Sequence, residues 1–150
     1  MAQGASALRK GDMEGAFLVC APLADRAPSL FAAKCAGLAA LNLNDFARAV
    51  LYLRAYLASH AQDTESHLAL AKALGRSGDD SSAVALLTHV LNTPSLRPKM
   101  PSLGEALYNL GIAHARLGRI ERALTTWKQI PVDAKEYEDS QILIRRLSNK

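Results

Sequence analysis

Four histidines and two cysteines are the residues best suited to catalysis or metal binding. They are His60, His67, His89, His114, Cys20 and Cys35. A helical zinc site usually pairs two histidines four residues apart, with a glutamate between them, and none of these histidines has that spacing. Asp63 and Glu65 lie near His67, but exposed polar residues at a junction between helices explain them better than a metal site. We therefore predict no metal and no cofactor.

Other patterns that carry chemistry are also absent from the sequence. Cys20 and Cys35 form neither a disulfide framework nor a metal-binding spacing, so we expect free, buried thiols. The glycines near the start match no phosphate-binding loop. Asp79-Asp80 is interpreted as a helix start and not as a catalytic pair. The prediction is a protein that is not an enzyme and has no small-molecule substrate.

The composition favours packed helices. Of 150 residues 49% are hydrophobic but only 5% are aromatic, and much of the apolar content is Ala and Leu. The net charge of +4 mildly favours acidic partners. No apolar run reaches the ~20 residues of a membrane helix, and residues 1–10 contain no hydrophobic secretory segment. We expect a cytoplasmic protein, or a periplasmic one if the chain is a fragment of an exported protein.

A repeat of about one helical hairpin runs through the chain. Turn-forming residues begin at Gly11, Asn44, Gly78 and Gly118, with intervals of 33, 34 and 40 residues. Small or apolar residues recur at fixed distances from these turns. The columns are Gly4, Gly37, Ala71 and Gly111; Ala16, Ala49, Ala83 and Ala123; Cys20, Leu53, Leu87 and Trp127; and Leu23, Tyr56, Val90 and Ile130.

Each column has a physical role in a helix pair. Gly and Asn tolerate the left-handed backbone that ends a helix, and a following Asp caps the next one. Asp45 and Asp79 suit that capping role, whereas Arg119 does not. Small residues allow antiparallel helices to approach closely, and larger residues one turn further on fill the space between neighbouring hairpins.

The segment from Leu107 to Trp127 resembles the tetratricopeptide repeat. Its matching residues are Leu107-Tyr108-Asn109-Leu110-Gly111, Leu117-Gly118, Glu121, Ala123 and Trp127. Residues 30–63 resemble it through Gly37, Phe46, Ala49 and Leu53, and residues 64–94 through Leu70-Ala71, Gly78, Ala83 and Leu87. The resemblance implies an all-α fold, a right-handed α-solenoid of antiparallel helix hairpins.

A single domain with three full repeats is expected. Its parts are a partial N-terminal repeat at 1–29, repeats at 30–63, 64–97 and 104–132, and a capping helix at 133–150. The long third interval places an extra loop at residues 93–102, which contain three prolines. This loop is either a surface insertion or a ligand contact. Asp133 is the expected cap of a last helix that starts at about Ala134.

The resemblance also implies a binding groove, because the first helix of each tetratricopeptide pair lines a concave surface. The partner-binding residues predicted in this way are Lys34, Leu38, Leu41, Asn42, Leu68, Lys72, Arg76, Tyr108, Ile112 and Arg116. One row, Arg9, Asn42, Arg76 and Arg116, is mostly basic. It is either a groove for a segment with carboxylates or a solvated helix face. A chaperone-type carboxylate clamp is not expected, since only Lys34 fits its pattern.

The predicted function is that of an adaptor or scaffold that binds a protein or peptide in this groove. One alternative is a chaperone for secreted or assembling proteins. Another, less favoured, is nucleic-acid binding along the basic row, for which Tyr108 is the only good stacking residue. The sequence does not define the oligomeric state or the partner.

Overall fold

The structure is a computed structural model that describes residues 3–4, 11–27 and 31–149. Over these ranges the chain forms eight α-helices and no strand, so the predicted all-helical fold is confirmed. They are α1 (Met13–Arg26), α2 (Phe31–Asn42), α3 (Phe46–Leu57), α4 (Thr64–Arg76), α5 (Asp80–Asn92), α6 (Ser102–Arg116), α7 (Ile120–Trp127) and α8 (Tyr137–Ser148). Gln3 and Gly4 are also helical. None of the described helices is long and apolar enough to cross a membrane.

The chain divides into two compact units, Met1–Ser77 and Gly78–Lys150, called unit 1 and unit 2 below. In unit 1 each helix packs on the next, from α1 to α4, and α2 also contacts α4. In unit 2 the same sequential packing runs from α5 to α8. The single domain and the repeat boundaries expected from the sequence stay predictions.

The predicted turn residues have the backbone conformation that their types favour. Gly11, Asn44, Gly78 and Gly118 have φ of 77°, 62°, 92° and 75°, in the left-handed region. After α2 the amide of Asp45 donates to the carbonyl of Ala40 at 2.9 Å. This bond satisfies one of the carbonyls that a helix end leaves unpaired, so the left-handed residue closes the helix as expected.

Aspartates cap four of the helices. Asp45 accepts from the amide of Arg48 at 3.2 Å, and Asp79 from that of Ser82 at 3.1 Å, as predicted. Asp12 and Asp63 cap α1 and α4 in the same way. Arg119 occupies the capping position of α7 without a side-chain bond, also as predicted. These caps set where α1, α3, α4 and α5 begin.

The repeat columns form the two cores. All four residues of the alanine column are buried, and so are Cys20, Leu53, Leu87 and Trp127. Gly37 lies against the side chain of Leu53, where a Cβ would come within 2.6 Å of Cγ. The one exception among the large columns is Leu23, which is 37% exposed. The sequence period therefore predicts which residues pack between helices.

The sequence predicts the loop before α6 correctly but not the segment before α8. Residues 93–101 are non-helical, as expected, but Leu96 is only 2% exposed, so the loop packs its own apolar side chain inward. The predicted start of the last helix was wrong. Ala134 lies in a turn and packs against Gly104, and α8 begins at Tyr137 after Glu136, whose side chain makes no capping bond. Asp133 therefore caps no helix.

Candidate partner-binding faces

Seven of the predicted binding residues lie in unit 1, on α2 and α4. Lys34 is the most constrained of them. Its ammonium donates to Asp63 at 2.8 Å and pairs with Glu65 at 2.9 Å, and its side chain is only 14% exposed. Asp63 belongs to the loop before α4, so this pair ties α2 to the start of α4. The charge of Lys34 therefore serves to hold α2 against the start of α4.

Burial and the charges around Lys34 shift the pKa values of Lys34, Asp63 and Tyr56. Burial alone lowers the pKa of Lys34, but its bonds to Asp63 and Glu65 outweigh that effect and raise it. Burial raises the pKa of Asp63, yet the bond from Lys34 and the amide of Ser66 hold it below its ordinary value. Burial and the neighbouring Asp63 raise the pKa of Tyr56. The carboxylate and the ammonium both stay charged at neutral pH.

The second half of α2 offers less surface than the sequence predicts. Leu41 is 7% exposed, so it packs into the core. Asn42 is exposed, and its amide donates to the carbonyl of Leu38 at 2.9 Å, one helical turn earlier. Leu38 and Leu68 are half-buried and supply apolar surface, which Phe31 extends at 45% exposure.

At the end of α4, Arg76 lies over the ring of Phe46, with 6.0 Å between the guanidinium carbon and the ring centroid. A cation–π contact of this kind restricts the guanidinium while leaving its N–H groups able to donate hydrogen bonds. Lys72, one turn earlier, is half-buried. Sequence reasoning did not identify Phe46 as the platform for Arg76, although an aromatic residue directly after the Asp45 cap was a visible signal.

Unit 2 holds the other three predicted residues on α6. Tyr108 and Ile112 are half-buried and Arg116 is exposed. Arg116 lies 3.6 Å from the carboxylate of Asp80 at the start of α5, so its charge is partly balanced. Burial, Asp139 and Glu136 raise the pKa of the Tyr108 hydroxyl. Arg9, the first member of the predicted basic row, lies outside the described residues.

The histidines occupy separate structural environments. His60 stacks on Tyr56 with ring centroids 4.2 Å apart, and the Nε2 atom of His67 lies 2.9 Å from the carbonyl oxygen of Ala61. His114 is buried, and burial together with Arg119 and Arg122 lowers its pKa. In the described part of the chain no three His, Cys, Asp or Glu side chains group to hold a metal ion.

The prediction of free thiols was wrong. Cys20 on α1 and Cys35 on α2 are buried, as predicted, but they form a disulfide. The small residues around them bring the two helices close enough for a Cα separation of 5.9 Å, which suits a disulfide. The sequence places Cys20 in a packing column, but the contact between Cys20 and Cys35 depends on where α1 crosses α2.

Part of the chain matches a known family in sequence, and its fold resembles several solved structures. The family described as tetratricopeptide repeat matches residues 105–132, the region of α6 and α7. A crystal structure of MamA superimposes with a TM-score of 0.74 at 13% identity, over 97% of this chain and 92% of that chain. Another MamA structure gives 0.75 at 15% identity, over 99% and 84%. A third, MamA MSR-1 C2, gives 0.69 at 17% identity, over 95% and 74%. No curated protein matches the sequence.

These matches confirm the resemblance to the tetratricopeptide repeat and the solenoid fold. At identities below one fifth, the likeness to MamA concerns the fold alone.

Proposed function

We infer that this chain, a helical solenoid with a tetratricopeptide repeat, is a non-catalytic scaffold module that binds a segment of another protein. We place the binding site on the unit 1 face, defined as Phe31, Leu38, Leu68, Lys72 and Arg76 on α2 and α4. The same kind of surface on α6, around Tyr108 and Ile112, is a second contact region in unit 2.

The cation–π contact between Arg76 and Phe46 is the observation that carries this proposal. An arginine held over Phe46 at 6.0 Å has lost part of its conformational freedom before any ligand binds. Its fork of donors matches a carboxylate, and such charge-assisted bonds are the stronger class of hydrogen bond. Half-buried Leu38 and Leu68 provide the adjoining apolar surface. The ligand class is therefore an extended peptide with an acidic residue next to apolar ones.

The ion pairs of two other predicted cations support the choice of Arg76. Lys34 is already paired with Asp63 and Glu65, and Arg116 with Asp80. Neither contributes a full positive charge to an acidic ligand. Of the two arginines of the basic row that the structure describes, Arg76 and Arg116, we therefore assign the acidic preference to Arg76 at the end of α4.

The test compares partners captured by three immobilised proteins from a nuclease-treated lysate. They are the wild type, Arg76→Glu on the unit 1 face, and Arg54→Glu as the matched control at an exposed residue of α3. All three must show the same helical circular dichroism. We expect a protein that is retained by the wild type and Arg54→Glu and lost by Arg76→Glu. Equal capture by Arg76→Glu and the wild type would contradict this site.

A further inference from the structure

The last helix, α8, buries one face and exposes the opposite one. Ser140 is fully buried, and the half-buried apolar side chains share its face. They are Tyr137, Leu143, Ile144 and Leu147. The exposed side of the same helix carries charged residues and a single isoleucine, Ile142, which is 46% exposed. Ile142 therefore offers a small apolar surface within a charged face.

The exposed residues of α8 form one stripe because of their spacing. Glu138 and Asp139 precede Ile142 by four and three residues, and Arg145 and Arg146 follow it by three and four. Side chains three or four positions apart lie on the same side of an α-helix. The stripe therefore reads acidic, apolar, basic along the helix axis, with Ile142 at its centre.

This order is self-complementary. If a second copy of the stripe is turned end for end about Ile142, its arginines face the acids of the first copy and its acids face the arginines. We propose that α8 pairs antiparallel with α8 of a second copy of this chain across a two-fold axis at Ile142. Glu138 then faces Arg146 of the other copy, Asp139 faces Arg145, and the two isoleucines meet. Such an interface uses the same surface on both partners, as two-fold dimers do.

The opposite charges of one helix do not neutralise each other. Glu138 and Arg145 lie seven residues apart, or about 10.5 Å along the axis, beyond the reach of a pair within the helix. The helix dipole favours acids in the first turn and bases in the last, so it accounts for the order of the charges. It does not account for Ile142 between them on the exposed side, and a partner helix does.

The size of the surface sets the strength of the pairing. A helix of 12 residues is about 18 Å long, so two such helices bury less than the ~1,200 Å² of a standard interface. We expect a weak, reversible dimer that forms as protein concentration rises. Because its specificity comes from exposed charges, added salt weakens it.

The experiment uses two charge-reversed variants of the whole chain. One is Glu138→Arg/Asp139→Arg, whose stripe is entirely basic, and the other is Arg145→Glu/Arg146→Glu, whose stripe is entirely acidic. Sedimentation velocity over a wide concentration range should show dimers for the wild type. Each variant alone should associate roughly tenfold or more weakly, because like charges now face each other. An equimolar mixture of the two variants should form a one-to-one dimer, since acidic and basic stripes again face each other.

Three outcomes would overturn the proposal. They are a wild type that stays monomeric at its highest soluble concentration, variants that associate as the wild type does, and a mixture that stays monomeric. Circular dichroism must show that both charge-reversed variants are as helical as the wild type. Ile142→Glu, which changes no other charge of the stripe, is the additional variant if charge reversal disturbs the helix. It should also abolish dimers, whereas Arg54→Glu in unit 1 should not.

Discussion

The indole ring of Trp127 fills the space that a side chain at Gly111 would occupy. A Cβ at Gly111 would overlap the indole nitrogen and its neighbouring carbons. The ring is 1% exposed, and its N–H donates to the carbonyl of Tyr108 at 3.2 Å. The glycine of α6 and the tryptophan of α7 thus form one packing unit at the centre of the helix pair.

We expect Gly111→Ala to destabilise unit 2 by about 1–3 kcal/mol, because the indole must shift and lose its hydrogen bond. Urea unfolding followed by circular dichroism measures the stability of both variants, and the fluorescence of Trp127 reports on unit 2. Gly75→Ala in α4 is the matched control, since a Cβ there meets no atom within 4 Å. That change should leave the free energy of unfolding unchanged or raise it by up to about 1 kcal/mol. Equal effects of the two changes would refute the packing role of Gly111.

Reduction of the Cys20–Cys35 bond should destabilise unit 1. A loop closed across a sequence separation of 15 residues corresponds to about 3 kcal/mol in the chain-entropy account. Circular dichroism during urea unfolding, with and without a reductant, measures the loss. The double variant Cys20→Ala/Cys35→Ala should unfold near the reduced wild type and ignore the reductant. A wild type that is equally stable in both conditions would contradict the expectation.

His114 should make unit 2 sensitive to mild acid. Its pKa in the folded chain lies below the ordinary 6.5, because burial and two nearby arginines oppose the charged form. The unfolded chain therefore binds more protons, and stability is lost as pH falls below about 6.5. We expect the urea midpoint to drop between pH 7 and pH 5 in the wild type and to drop less in His114→Leu. If the urea midpoints of the wild type and His114→Leu fall equally with pH, His114 is not the cause of the acid sensitivity.

Lys34 should hold the pKa of Asp63 down. The folded pKa of Asp63 lies below 3.8, so its contribution to stability is present above that value and is lost as pH falls through the folded pKa. In Lys34→Met the pKa of Asp63 should rise, as measured by NMR titration of its carboxyl carbon. The variant should also lose about 1 kcal/mol of stability. Arg54→Met, an exposed cation on α3, should change neither quantity.

Local chemistry explains which parts of this molecule the sequence predicts. The left-handed Asn44 and Gly118, and the caps Asp45 and Asp79, depend on residues within one turn of them, so their types were sufficient. The repeat interval of the turns predicted which alanines and glycines lie between packed helices. These features determine the helices and which face of each one is buried.

Features that depend on distant residues were harder to predict. The pairing of Lys34 with Asp63 joins residues separated by a whole helix, and the Cys20–Cys35 bond depends on how α1 crosses α2. The start of α8 was misplaced because Ala134 packs on Gly104 instead of opening the helix. In the candidate site, the sequence identified Arg76 but not the ring of Phe46 that holds it.

The disulfide between α1 and α2 determines which helices of unit 1 can separate first. Helices in a stacked array separate by peeling, one neighbour at a time, when thermal motion breaks their contacts. Because Cys20 and Cys35 are bonded, α1 cannot peel away from α2 while the bond is intact. Local unfolding of unit 1 is therefore expected to begin at α3 and α4 and not at α1. In an oxidising environment α1 stays attached to α2 even when α3 and α4 separate from them.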